Sequence, residues 1–218
     1  MMKDSAETFF TPEERERIRL AVATAEKATS GEIATMVVAR SDRYQEAILL
    51  ASVLGAALTA LIAAVASQHV TIWSYLPLTI ILYFPLYLLI KRTPCLQRPF
   101  ISGRRLNEAV QARAVQAFYE KGLYRTRDET GILLFISIFE RKVWILGDRG
   151  INARIPAESW QQLVQLLTTG IREDRACEAL CNVIAHCGEE LARHFPREGD
   201  DRNELQDELI VGSNPPVP

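Results

Sequence analysis

The chain lacks most of what marks a common catalyst. Histidine occurs only three times in 218 residues, at His69, His186 and His194, and none has an acidic partner placed for triad chemistry. A nucleophile elbow, a Walker loop and a dinucleotide-type glycine pattern are all absent. Gly147-x-x-Gly150 is too short to stand for any of them. Cysteine is scarce, and Cys95, Cys177, Cys181 and Cys187 do not form the spaced framework of a small secreted domain. An excess of one charge is missing too: the formal net charge is -2, which gives no electrostatic reason to expect nucleic acid. The most telling absence is local. No Asp, Glu, Lys or Arg falls between Ala47 and Ala66 or between Val70 and Ile90.

Each of those uncharged runs holds at least 20 residues. At about 1.5 Å of rise per residue, such a helix spans the roughly 30 Å hydrocarbon core of a bilayer. Soluble core helices keep a polar face, and a secretion signal would begin much nearer the N-terminus, so a transmembrane hairpin is expected over 46–91. Arg40 and Arg43 precede it, Lys91, Arg92, Arg98, Arg104 and Arg105 follow it, and its tip carries no Lys or Arg. The positive-inside rule then puts both termini in the cytoplasm. Trp73 and Tyr75 sit near the tip, where amphipathic rings favour the headgroup layer. Gly55, Ala56, Thr59, Ala60, Ala63 and Ala64 give the first helix a small-residue face, and Pro77 and Pro85 are expected to kink the second.

The rest reads as amphipathic and soluble. Thr11-Pro12-Glu13-Glu14 is a capping box opening a helix to about Thr29, followed by a strand from Glu32 to Arg40. Beyond the hairpin, a helix starts near Gly103, with Leu106, Val110, Ala114, Ala117 and Phe118 on its buried stripe. Gly131–Phe139 is apolar enough for a strand covered on both faces, and Glu140-Arg141 turns it into a partner at Lys142–Leu146. Gly147-Asp148-Arg149-Gly150 reads as a turn with two glycines able to take positive φ. Helices near Pro156 and Asp174 close the domain, and 197–218 reads as a polar acidic tail, loosely held. The domain is thus split into 8–44 and 104–196. The expected fold is an α/β sandwich, a small mixed sheet between helices with an inserted two-helix hairpin.

Two groups of residues invite chemistry. Cys177, Cys181, His186 and Cys187 resemble soft-metal ligands but do not converge on one helix face, so the thiols read as buried and structural. Asp128 and Glu129 precede the central strand while Asp148 and Arg149 follow its antiparallel neighbour, so pairing brings them to one edge of the sheet. Asp128, Glu129 and Asp148 are candidate oxygen ligands for Ca²⁺ or Mg²⁺, Glu129, Asp148 and Arg149 candidate catalytic residues, and Gly131, Gly147 and Gly150 candidate turn residues. The plainer alternative is a solvated rim of turn charges and capping carboxylates.

Gly31-Glu32-Ile33 after an amphipathic helix, Glu129-Thr130-Gly131-Ile132-Leu133-Leu134, Arg141-Lys142-Val143 and a glycine turn before two helices together resemble the TPM domain. That family includes a thylakoid-lumen photosystem-repair protein and many bacterial proteins. The inserted hairpin, Thr126 to Gly131, Gly147-Asp148-Arg149-Gly150-Ile151, Phe195-Pro196 and Asp201-Arg202-Asn203-Glu204-Leu205 resemble its bacterial membrane-protein branch. The resemblance implies an α/β sandwich, a bacterial inner-membrane location and, for some extracytoplasmic members, a calcium site with acid phosphatase activity. Glu129 stands where the family has Asp, and Asp148-Arg149-Gly150 where it has Gly-Tyr-Gly. The leading functional expectation is a non-enzymatic module that assists another membrane protein. The alternatives are a divalent-metal-dependent phosphatase and a membrane oligomer self-associating through the first hairpin helix.

Overall fold

The computed structural model describes residues 5–68, 71–126, 129–197 and 207–212. They form two compact units, one of 1–42 with 107–218 and one of 43–106. The first unit is built on a four-stranded sheet in the order β3-β2-β1-β4. Its strands are β1 (Glu32–Val38), β2 (Gly131–Ser137), β3 (Lys142–Gly147) and β4 (Ile210–Gly212). β2 and β4 flank β1 in parallel, and β3 runs antiparallel to β2 with Ile132 opposite Gly147. Every residue of β1 and β2 is buried, as expected for strands covered on both faces.

Alternation sends the two sets of side chains to two cores. Ile33, Val37, Ile132, Leu134, Ile136 and Val143 pack in one core with residues of α2 (Pro12–Ala25), α8 (Ala157–Arg172) and α9 (Ala176–His194). Met36, Val38, Leu133 and Phe135 pack in the other with Val110, Ala114, Ala117 and Phe118 of α6 (Gly103–Glu120). The layers are those of an α/β sandwich. Local signals set the helix starts. Thr11 Oγ1 accepts from the Glu14 amide at 3.2 Å, Glu14 Oε2 accepts from the Thr11 amide at 2.8 Å, and Pro12 opens α2. The helix is α-helical only to Ala25, and Glu26–Ala28 form a 3-10 turn that aims the chain into β1.

Two expectations are corrected. The polar tail expected after Pro196 holds a strand, as Ile210–Gly212 pairs with Met36–Val38. Three residues are too few to show a period, and the open edge of β1 recruits them. At Gly212 an added Cβ would lie 2.4 Å from Met36 Cε, so the strand approaches more closely than a side chain allows. Gly147-Asp148-Arg149-Gly150 is not a free turn either. Gly147 ends β3, and Asp148 N-caps the short helix α7 (Arg149–Arg154) with Oδ1 accepting from the Arg149 amide at 2.7 Å. Neither glycine takes positive φ. Among the described glycines only Gly122 does, while Glu129 and Arg141 adopt the left-handed region without being glycine.

The second unit holds α3 (Gln45–Ala66) and α4 (Ile72–Arg92), packed together and each long and apolar enough to cross a membrane. α4 continues through Pro77 and Pro85. Ser52, Ala56 and Ala60 are fully buried and Ala64 nearly so, a stripe with a four-residue step, whereas Thr59 and Ala63 are exposed. Half of the expected small-residue face is therefore buried inside the hairpin. Its outer surface carries Leu50, Leu54, Leu58 and Ile62 on α3 and Ile80, Phe84 and Leu88 on α4.

Candidate functional site

The candidate residues lie where β1 and β2 begin and β3 ends. The antiparallel ladder continues past the strands: the Asp148 amide donates to Gly131 O at 2.8 Å, and the Gly150 amide donates to Glu129 O at 3.1 Å. Glu129 and Asp148 are thus on adjoining backbone, as strand pairing predicts. The loop before β2 is held by threonines. Thr126 Oγ1 accepts from the Thr130 amide at 3.0 Å, and Thr130 Oγ1 donates to Ser30 O at 3.2 Å, tying this loop to the start of β1.

Side chains are another matter. Glu129 and Arg149 are exposed, and Arg149 makes no ion pair among the described residues. Asp148 spends Oδ1 on its cap, while its Oδ2 is buried with no hydrogen-bond partner. Asp128 lies outside the described residues. Among the described residues no three His, Cys, Asp or Glu side chains are grouped to hold a metal ion. Of the three candidate ligands Glu129 and Asp148 are described, fewer than the six to eight oxygens a calcium ion takes, and no chemical step is routed through a metal. The glycines serve packing. A Cβ at Gly131 would stand 2.6 Å from Leu123 O, and one at Gly147 2.9 Å from Ile151 Cγ2.

Two of the four cysteines are core residues, while Cys181 is half-buried and Cys95 exposed. Cys177 and Cys187 are buried, and burial pushes their thiols up to about 11 and about 12, so both stay protonated and unreactive near neutrality. His186 is exposed and faces Glu189 at 3.6 Å.

Two polar groups were not singled out in the sequence. The first shares the acidic end of the sheet: Glu26 Oε1 accepts from the Ile33 amide at 2.7 Å, its Oε2 is buried without a hydrogen-bond partner, and Asp207 stands just ahead of β4. Burial, with Glu32 and Asp207 adding negative charge, raises the Glu26 carboxyl to about 8 against the pull of the Ile33 amide. Its proton is taken up on folding. The stability it contributes is complete below its ordinary value of 4.5 and is lost as pH rises through about 8. Raising the pH from about 6 to about 9 should therefore lower the protection of the β4 amides, relative to their base-catalysed intrinsic exchange, before that of the β2 amides. Glu26→Gln, which stays neutral, should flatten that dependence. β4 protection that stays constant across the range would remove the role given to Glu26.

The second group lies at the other end of β1. Glu140, 1% exposed, accepts from the Ser41 amide at 2.9 Å and from the Ser137 hydroxyl, and Ser41 Oγ meets Ser137 Oγ at 2.8 Å. Neither group had a sequence signal, because each joins residues far apart in the chain.

A mixed sheet between helix layers, with threonine-tied loops and capped acids at one strand end, defines an α/β sandwich domain. Residues 102–189 match the sequence model described as the TPM domain. Among solved structures the chain is similar to the BA42 protein of the psychrophilic bacterium Bizionia argentinensis sp. nov., determined by NMR. The two are 20% identical, with 94% of this chain and 96% of that chain covered and a TM-score of 0.59. At that identity the likeness is one of fold. A comparison with curated proteins finds no match.

Proposed function

We propose that this chain is a membrane-anchored TPM module that acts as an interaction or assembly factor for another membrane protein, with its termini and TPM domain in the cytoplasm. The observation that carries the anchoring is the outer surface of the hairpin. Leu58 is 60% exposed, Ile62 61%, Ile81 67% and Phe84 64%, a surface that water would not tolerate and lipid would. Self-association through Ala56 and Ala60 is disfavoured, because both are already fully buried.

The interaction role is supported by aromatic side chains on the TPM domain. Tyr119 is 62% and Tyr124 41% exposed, with ring centroids 5.4 Å apart. Exposed aromatics are enriched at protein interfaces. The full chain, extracted in mild detergent, is expected to co-purify with a membrane protein that is lost from a Tyr119→Ser, Tyr124→Ser variant. That variant should still sediment with membranes after alkaline carbonate. Recovery of the chain alone across repeats would overturn the partner role, and release by carbonate would overturn the anchoring.

A further inference from the structure

Residues 43–106 carry six basic side chains against one carboxylate, Glu46, in a protein whose formal net charge is -2. The basic residues lie at the open end of the hairpin, where α3 starts and α4 finishes. A short foot follows α4: α5 (Pro94–Gln97) and the 3-10 turn Arg98–Phe100 pack against α3, and α5 also packs against α4. The foot is fixed by Gln97. Its fully buried amide donates from Nε2 to Ile90 O at 2.8 Å, which the Thr93 amide also reaches, and to Lys91 O at 3.3 Å, so carbonyls in the last turn of α4 are held by the foot. With Gln97 turned inward, Leu96 and Phe100 face out, 44% and 39% exposed. Lys91 and Arg92 are exposed at the end of α4, and the Lys91 ammonium stands 5.8 Å from the Tyr87 ring centroid.

Exposed apolar side chains beside cations, on a segment fixed at the end of an apolar hairpin, match the layer where acyl chains meet phosphate. We propose that this foot, Lys91 and Arg92 with Leu96 and Phe100, is a binding site for the headgroups of anionic phospholipids. The proposal rests on the membrane reading above and adds lipid selectivity to it. Lys91 and Arg92 supply the phosphate contacts, and Leu96 and Phe100 sit at the acyl boundary. Each basic residue near such a surface is worth roughly a fivefold change in association.

The test uses the full chain reconstituted in phosphatidylcholine vesicles containing a minor share of phosphatidylglycerol. Spin-labelled phosphatidylglycerol and phosphatidylcholine report the relative association of each lipid with the protein. The native chain is expected to favour phosphatidylglycerol severalfold. Lys91→Gln with Arg92→Gln should bring the ratio close to one, and the charge-keeping pair Lys91→Arg with Arg92→Lys should preserve it. No preference in the native chain, or a preference that survives the glutamine pair, overturns the site; the latter would move the selectivity to Arg43, Arg98, Arg104 and Arg105. Carbonate extraction of the same vesicles separates the two readings. A chain that stays embedded without selectivity overturns the lipid site alone, and a chain that is released overturns the anchoring and this site with it.

Discussion

Replacing Glu140 with alanine is expected to lower the stability of the α/β domain by about 3 kcal/mol. The carboxylate is buried and receives the Ser41 amide and the Ser137 hydroxyl, so truncation leaves at least two donors without an acceptor in a site closed to water. Each such orphan costs about 1–3 kcal/mol, which exceeds the small loss from removing an exposed surface carboxylate. Glu140→Gln keeps an acceptor oxygen for the Ser41 amide, and the Ser137 hydroxyl can rotate to accept from the new amide. Its cost should be nearer 1 kcal/mol. Thermal unfolding of the full chain in mild detergent, followed by near-ultraviolet circular dichroism, distinguishes the two variants. Indistinguishable melts for Glu140→Ala and the native chain would mean that water reaches the cluster.

Gly131→Ala should destabilise the same domain by about 2–3 kcal/mol. The added methyl would stand 2.6 Å from Leu123 O, and this neighbour is backbone within the 3-10 turn Leu123–Arg125 that precedes β2. A side chain could rotate away from the methyl, but a carbonyl held in a turn moves only with the loop around it. Gly103→Ala is the control: nothing lies within 4 Å of its Cβ position, and alanine is the better helix former by about 1 kcal/mol. Faster hydrogen exchange confined to Thr130–Ile132 would locate the damage at the candidate site. A Gly131→Ala variant as stable as Gly103→Ala would show that the loop yields freely.

Where the sequence spoke through local chemistry, the structure agrees with it. The Thr11–Glu14 box, the Gly131–Ser137 run and the antiparallel Lys142–Gly147 partner all depend on neighbours within a few residues. The adjacency of Glu129 and Asp148 was legible for the same reason, since one ladder register implies it. Long-range events were not legible. β4 exists because the edge of β1 was open, and Glu26 meets Asp207 only once β4 has docked. Gly147-Asp148-Arg149-Gly150 misled because a capping aspartate and a turn aspartate look alike in sequence, and only the helix that follows tells them apart.

The position of β1 has a consequence for biosynthesis. Both strands that pair with it, β2 and β4, lie on the far side of the hairpin in chain order. As the polypeptide leaves the ribosome, β1 emerges first and has no mate until about a hundred residues later, when β2 follows. The apolar helices are complete well before then. Both hairpin helices are therefore complete before the sheet can close, and a translation arrest between Arg92 and Gly131 would leave the apolar β1 without either of its mates.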